Sequence, residues 1–131
     1  MPKPDRSPTE PTRSVQIRWR RRVAEHDYAA AQAYLSLKLS ESEATSSVAR
    51  LRKATLTERR ANDILRAAGL TAAPMDDPGV MKDLLRVIEG VALSPILFVN
   101  SSGVSDIADG FHRVSLVYRL EPYGLVPLKI A

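Results

Sequence analysis

The hydrophobic pattern of the chain changes its period near residue 93. Before that point, apolar residues recur three and four positions apart, which is the spacing of helices that bury one face. After it, short apolar runs and alternating positions indicate strands. Helices are predicted over about 28–39, 41–53, 58–68 and 78–89. The pattern therefore predicts an α+β fold in which a helical N-terminal half of about four helices packs on a small mixed sheet.

Start and stop signals delimit the predicted helices. The proposed N-caps, whose side chains can accept bonds from free backbone N–H groups, are Asp27, Ser40, Thr57 and Asp77. Ser40 and Glu43 form an S-x-x-E capping box, and Pro78 follows Asp77 at the preferred first helical position. Gly69 is expected to stop the third helix. The first two helices should form an antiparallel hairpin.

The C-terminal part reads as a hairpin followed by a strand–turn–helix–strand unit. Residues 95–99 form a continuous apolar run, and the turn residues 100–103 lead back into a partner strand over 104–108. A helix is predicted from Phe111 to about 120, and 126–130 alternates as the last strand. Near the N-terminus, 15–20 alternates apolar and basic residues, which fits an edge strand, an extended arm or the start of a helix.

The turn before the last helix has the chemistry of an anion site. Asp109 is a predicted N-cap, and Gly110 permits backbone angles that other residues resist and leaves room for a ligand. His112 and Arg113 then lie in the first helical turn, where the helix dipole disfavours cations. A bound phosphate would offset that cost, because free amides and a guanidinium both bind anions. Ser115, three residues after His112, is predicted either to donate to a phosphate or to bond within the helix.

The pentapeptide 109–113 resembles the D-G-x-H-R signature of the ParB/sulfiredoxin-like superfamily. It is most similar to a group of small bacterial proteins with an I-A-D-G-[YF]-H-R-V stretch. The flanking strands, 93–99 and 126–130, are similar too, as are the stretches 61–70 and 26–28. The resemblance thus covers roughly 26–131.

The resemblance implies that this turn binds the phosphates of a nucleotide, CTP in ParB and ATP in sulfiredoxin, with Mg²⁺ as a candidate companion. The implied binding residues are Asp109, Gly110, Phe111, His112 and Arg113. In this scheme His112 is the candidate catalytic residue, as a phosphate donor or a proton-transfer group, and NTP hydrolysis or nuclease-type chemistry would be the reaction class.

The chain differs from the superfamily motif at two points, and each difference excludes or disfavours one of the implied activities. Phe111 occupies the place of the sulfiredoxin cysteine and the chain has no Cys, so sulfinic-acid reduction is excluded. ParB has Glu-Arg where this chain has Phe111 and His112, which argues against a CTP-gated DNA clamp. The alternative is that the site has decayed, with Arg113 paired to Asp109 or Asp106 and His112 bonded to a loop carbonyl.

Composition bounds the other possibilities. The length of 131 residues suits one domain over 15–131, preceded by a flexible, Pro-rich, basic tail over 1–14. No apolar run approaches the roughly 20 residues that span a bilayer, and the start of the chain does not resemble a signal peptide, so a cytoplasmic protein without membrane contact is expected. No metal-ligand set is predicted. Asp76 and Asp77 are interpreted as caps, and a homodimer through edge strands is left open.

The net charge of +4 is concentrated near the N-terminus. Arg18, Trp19, Arg20, Arg21 and Arg22 form a basic segment that suits nucleic acid as an alternative partner. The competing interpretations are a solvated basic face with Trp19 anchored in the core, and a small interaction or regulatory protein. His26 is either a second active-site imidazole beside His112 or a side chain that bonds locally.

Overall fold

The computed structural model describes residues 16–101 and 103–131; the predicted tail over 1–14 lies outside these ranges, as do Val15 and Ser102. Within them the chain forms five helices and four strands, which confirms the predicted α+β class. In chain order, the elements are α1 (Glu25–Leu35), α2 (Glu41–Lys53), β1 (Thr57–Arg60), α3 (Ala61–Ala68), α4 (Pro78–Ile88), β2 (Ile96–Ser101), β3 (Val104–Asp109), α5 (Phe111–Leu120) and β4 (Leu125–Ile130).

The four strands form one mixed sheet in the order β1-β4-β2-β3. The predicted hairpin is confirmed, since β2 and β3 pair antiparallel, while β2 and β4 run parallel. β1 lies at the other edge, antiparallel to β4. The register of the hairpin shifts between Leu97 and Phe98, so that Leu97 lies opposite Asp109 at the end of β3. That end of the hairpin leads directly into α5.

Helices cover both faces of the sheet. Alternate residues of β2 point to opposite sides: Ile96 and Phe98 pack with α3 and α5, whereas Leu97 and Val99 pack with α1 and α2. This is why the sequence of β2 is continuously apolar instead of alternating. α4 packs on α5 through a smaller cluster that includes Val80. The three layers bring the start of α5 close to α1 and α4.

The prediction of a third helix capped by Thr57 is wrong in its first turn. Residues Thr57–Arg60 form β1, and α3 begins only at Ala61. Thr57 pairs with Leu128 and Arg60 with Leu125 across the sheet edge. Three of the four residues of β1 are exposed, so the segment has no buried face to reveal in its sequence pattern. Pairing with β4 therefore decides its conformation. Gly69 does end α3, in the left-handed conformation.

The other helix boundaries are partly as predicted. The capping box of Ser40 and Glu43 is present, and Asp77 caps α4 by accepting bonds from Gly79 and Val80. The predicted cap of the first helix is wrong, because α1 begins at Glu25, two residues before Asp27, and no side chain caps it. Ile88, an apolar residue in the last turn of α4, is 63% exposed. Within the described ranges, none of the helices combines the length and the apolar character that crossing a membrane requires.

Candidate functional site

A cleft of about 400 Å³ opens at the start of α5. We call it the α5 cleft. Its lining comes from α1, through Ala30 and Tyr34, from the end of β3 and from the first residues of α5. Of the predicted site residues, Asp109, Gly110, Phe111 and His112 line this cleft, whereas Arg113 and Ser115 do not.

Gly110 sets the geometry of the α5 start. It is the N-cap residue of α5, and its φ of +111° is one that residues with a Cβ rarely adopt. A Cβ at this position would lie 2.5 Å from Cδ1 of Ile96, so the backbone approaches β2 more closely than any other residue allows. Asp109 was predicted to cap this helix, but the N-cap residue is Gly110, and no side chain of residues 16–101 and 103–131 caps the helix. The amides of the first turn therefore begin the helix without a side-chain acceptor.

Arg113 lies on the far side of Gly110, among carboxylates. Its guanidinium is 3.2 Å from Oδ2 of Asp27 and 2.7 Å from Oδ2 of Asp109, and its side chain is only 13% exposed. This is why Asp109 does not cap α5 and why Asp27 is buried in the first turn of α1. Burial raises the pKa of the Asp109 carboxyl, and the positive charge of Arg113 opposes part of that rise. The pairing of Arg113 with Asp109, which we predicted for a decayed site, is thus the arrangement observed.

Asp83 of α4 extends this buried cluster. It is 7% exposed and forms an ion pair with Arg86 at 3.2 Å. Burial raises its pKa, and the charges of Arg113, Arg86 and His112 oppose the rise. Arg113, Asp27 and Arg86 line a smaller cleft of about 250 Å³ together with His26, whose Nε2 lies 3.2 Å from Asp27. His26 and His112 therefore line different clefts.

His112 is the predicted catalytic residue, and α4 holds its ring. Nε2 lies 3.2 Å from Oδ2 of Asp77, the N-cap of α4, and the side chain is 49% exposed. A Cβ on Gly79 would come within 2.7 Å of the imidazole, so the ring rests directly on the first turn of α4. Phe111 meets it edge to face, with ring centroids 5.5 Å apart. The partner of His112 is thus the carboxylate of Asp77, and not the loop carbonyl predicted for a decayed site.

Ser115 lies in the core. It is fully buried, and its Oγ accepts a hydrogen bond from the amide of Ala73 at 3.0 Å. We predicted that Ser115 would donate to a phosphate or bond within the helix, but it bonds to the loop before α4. Ser115 is not among the residues that line the α5 cleft. The structure thus supports a packing role for Ser115, which the spacing from His112 alone did not indicate.

A second polar group lines the α5 cleft, and sequence analysis did not predict it. Asp106 of β3 is 2% exposed and accepts hydrogen bonds from Tyr34 and from its neighbour's amide, Ile107 N, while Lys38 Nζ lies 2.8 Å away. Burial and the bond to Asp106 raise the pKa of Tyr34, and the bond to Asp106 raises that of Lys38. The four-residue spacing of Tyr34 and Lys38 does not reveal Asp106. Asp106 was considered only as a partner of Arg113, which pairs with Asp27 and Asp109 instead.

The predicted basic segment divides between core and surface. Trp19 is half-buried against two core clusters and forms a bridge to Leu93, so it is an anchor and is not free to stack on bases. The four arginines, Arg18, Arg20, Arg21 and Arg22, are exposed. Arg21 and Arg22 line a cleft of about 450 Å³ with Glu25, Arg52 and Lys129, which we call the basic cleft.

No group of three or more residues suited to hold a metal ion occurs in 16–101 and 103–131. Comparison of the chain with protein-family models, curated proteins and solved structures finds no match. The resemblance to the ParB/sulfiredoxin-like superfamily therefore stays a prediction carried by the motif residues, and function has to be argued from the geometry.

Proposed function

We propose that the protein is a ParB/sulfiredoxin-like domain that binds a nucleotide, or another phosphate-bearing ligand, in the α5 cleft. The observation that carries the proposal is the start of α5. It follows a glycine in the left-handed region, it has no side-chain cap, and it opens on a cleft of about 400 Å³. Helix starts of this kind bind phosphate through free amides and the positive end of the helix dipole.

The residues around the helix start suit the phosphate end of the ligand. Gly110 lines the cleft at the start of the helix, and the amides of Phe111 and His112 begin the helix beside it. The imidazole of His112 is half exposed and is oriented by Asp77. A carboxylate that orients an imidazole is the arrangement used in proton transfer, and this supports His112 as the donor to phosphate and as the candidate catalytic residue. Arg113 contributes from behind Gly110, by holding Asp109 away from the helix start.

The remainder of the α5 cleft suits a base. Ile107, Ala108 and Phe111 supply apolar walls, and Tyr34 and Asp106 supply polar atoms at the edge. Small-molecule sites typically occupy about 300–1,000 Å³ and combine apolar walls with a few polar groups. The cleft is thus large enough for the base and sugar of a nucleotide in addition to its phosphates.

The residues present do not fit a Mg²⁺ ion held by the protein. Asp106 already accepts bonds from Tyr34 and the Ile107 amide and lies beside Lys38, and Asp109 pairs with Arg113. Mg²⁺ is usually bound by one or two available carboxylates plus the phosphates of the substrate. We therefore assign no step to a metal.

A cytoplasmic location and a homodimer remain predictions, and the cytoplasmic location agrees with a nucleotide ligand.

Thermal-shift measurements with CTP, ATP, GTP and inorganic phosphate test the proposal. A ligand at about 100 times its Kd stabilises the folded state by about 2.7 kcal/mol, which raises the Tm by several degrees. The variant Ala30→Phe places a ring in the α5 cleft from an exposed position of α1 and should abolish the shift.

Ala33→Phe is the matched control, because Ala33 is exposed on the same helix and is not among the residues that line the cleft. It should keep the shift. A shift that persists in Ala30→Phe would place the ligand elsewhere. No shift with any of the four compounds at millimolar concentration would instead support the alternative of an interaction protein with a decayed site.

A further inference from the structure

We propose that the basic cleft is a separate binding site for the phosphate backbone of a nucleic acid. Among the residues that the structure describes, four cationic side chains and one carboxylate line it, so the charge of this lining is far from balanced. Arg21 and Arg22 come from the N-terminal segment, Arg52 from the last turn of α2 and Lys129 from β4. These residues are separated along the sequence, and only the fold brings them together.

Two of the four cations are held in place. The guanidinium of Arg52 lies 4.3 Å from the centroid of the Tyr28 ring, and Nζ of Lys129 lies 5.5 Å from the same centroid. Lys129 also donates to Tyr28 Oη at 2.9 Å and to the carbonyl of Arg52 at 3.0 Å. Two positive charges are thus fixed on one phenol ring, so an anion would find them pre-organised.

Internal partners neutralise little of this charge. Arg52 forms an ion pair with Glu25 at 2.6 Å, but Glu25 is 78% exposed and is the one carboxylate among the described residues of the cleft. Within 16–101 and 103–131, Lys129, Arg21 and Arg22 form no ion pair with a carboxylate. Like charges that are brought together without partners repel one another, and an incoming polyanion relieves that repulsion.

The charge continues outside the cleft along an extended segment. Ile17 and Trp19 face the core, so Arg18 and Arg20 face solvent on the opposite side. Side chains two positions apart in an extended chain are about 6.6 Å apart, so this segment presents a row of guanidinium groups that leads into the cleft. A linear ligand with repeating phosphates engages such a row and the fixed pair together, and guanidinium forks match phosphate oxygens.

The basic cleft is independent of the α5 cleft, because the two have no lining residue in common. Loss of binding at one site therefore leaves the other testable. Trp19 is half-buried, so the proposed contact is to the backbone of the nucleic acid and not to its bases. Binding should accordingly depend strongly on salt and little on sequence.

Fluorescence anisotropy with labelled single-stranded DNA, single-stranded RNA and duplex DNA over a salt series tests this site. The full chain should bind at least one of them, with a Kd that rises steeply with salt. The double variant Arg52→Gln/Lys129→Gln should raise the Kd about 3- to 30-fold at low salt. It should also reduce the salt slope by about 2, one for each lost phosphate contact.

The matched control removes the same net charge elsewhere. Arg66→Gln/Lys82→Gln changes two exposed cations on α3 and α4 and should leave Kd within about two-fold of the wild type. If the double variant of the cleft is not folded by thermal melting, Arg21→Glu/Arg22→Glu replaces it, since these residues lie outside helices and strands. Equal weakening by the control, no salt-dependent binding, or equal competition by polyglutamate would each overturn the proposal.

Discussion

The two clefts differ in how their charges are compensated. In and behind the α5 cleft, each charged group has a partner: Arg113 has Asp27 and Asp109, and Asp106 lies beside Lys38. In the basic cleft, the lining in the described part of the chain has one carboxylate and four cations. The charges of the first arrangement are balanced by contacts within the protein, whereas most of those in the second are not.

This difference shows that a basic residue in a motif and a basic residue on a surface carry different information. Arg113 was predicted to bind a ligand because of its motif, yet its partners are internal carboxylates. Arg52 lies in the last turn of α2, where the helix dipole favours a cation, yet it also forms part of a cluster of cations in the basic cleft. Under the two proposals, a ligand of the α5 cleft would be selected by amides and shape, whereas a ligand of the basic cleft would be selected by charge.

The largest expected effect is that of Arg113→Ala. The substitution leaves the buried Asp27 and the half-buried Asp109 without their cation, and the loss of one partner of a buried pair typically costs about 3–5 kcal/mol in the free energy of unfolding. Urea unfolding measures it. Arg66→Ala, which removes an exposed pair with Asp63, should cost at most about 1 kcal/mol. Similar costs for both variants would show that the cluster around Arg113 is not structural.

A smaller loss is expected for Gly110→Ala. The new Cβ would meet Ile96 at 2.5 Å in a backbone conformation with φ of +111°, and such overpacking typically costs about 1–3 kcal/mol in the free energy of unfolding. Gly69→Ala is the control: its φ is also positive, but no atom lies within 4 Å of the new Cβ. In urea unfolding, Gly110→Ala should therefore have the lowest free energy of unfolding, Gly69→Ala an intermediate value and the wild type the highest. A reversed order of the two variants would contradict the close approach to β2.

The raised pKa of Asp109 predicts a pH effect of defined sign. The Asp109 carboxyl has a pKa near 3.8 in the unfolded chain, and the folded protein binds the same proton at a higher pH. The folded state is therefore stabilised relative to the unfolded chain as the pH falls through the raised pKa. The free energy of unfolding of wild type should therefore rise relative to that of Asp109→Asn between about pH 7 and about pH 4. Urea unfolding of both proteins measures the difference. Asp63→Asn, at an exposed position, should show no such trend, and a constant difference for Asp109→Asn would refute the assignment.

The smallest effect is expected in the basic cleft. Arg21→Gln/Arg22→Gln should change the free energy of unfolding by no more than about 0.5 kcal/mol, because both side chains are exposed. The variant should also be less sensitive to salt, since two repelling charges are gone. Urea unfolding at low and high NaCl measures both. A loss greater than about 1 kcal/mol would show that these arginines hold the fold, and the contrast between the clefts would disappear.

Much of the fold was predictable because local chemistry and tertiary structure agree. The capping box at Ser40, the Asp77-Pro78 start of α4 and the apolar run of β2 each have one physical interpretation, and the structure confirms it. β1 was mistaken for the first turn of a helix because an edge strand with three exposed residues has no periodicity to recognise. In the candidate site, the pattern identified Gly110 and the α5 start. For Asp109 it predicted a helix cap, which is wrong, and offered pairing with Arg113 as the alternative, which is the contact observed.

The sequence by itself determined the α+β class, most helix boundaries and a glycine-led turn before the last helix. It did so because periodicity, caps and turn residues act over a few positions. Only the tertiary structure decided which charges meet. Arg113 meets Asp27 across 86 positions, and Lys129 meets Tyr28 across 101. An ion pair or a cluster of like charges depends on distance in space, and no local pattern encodes distances between residues so far apart in the chain.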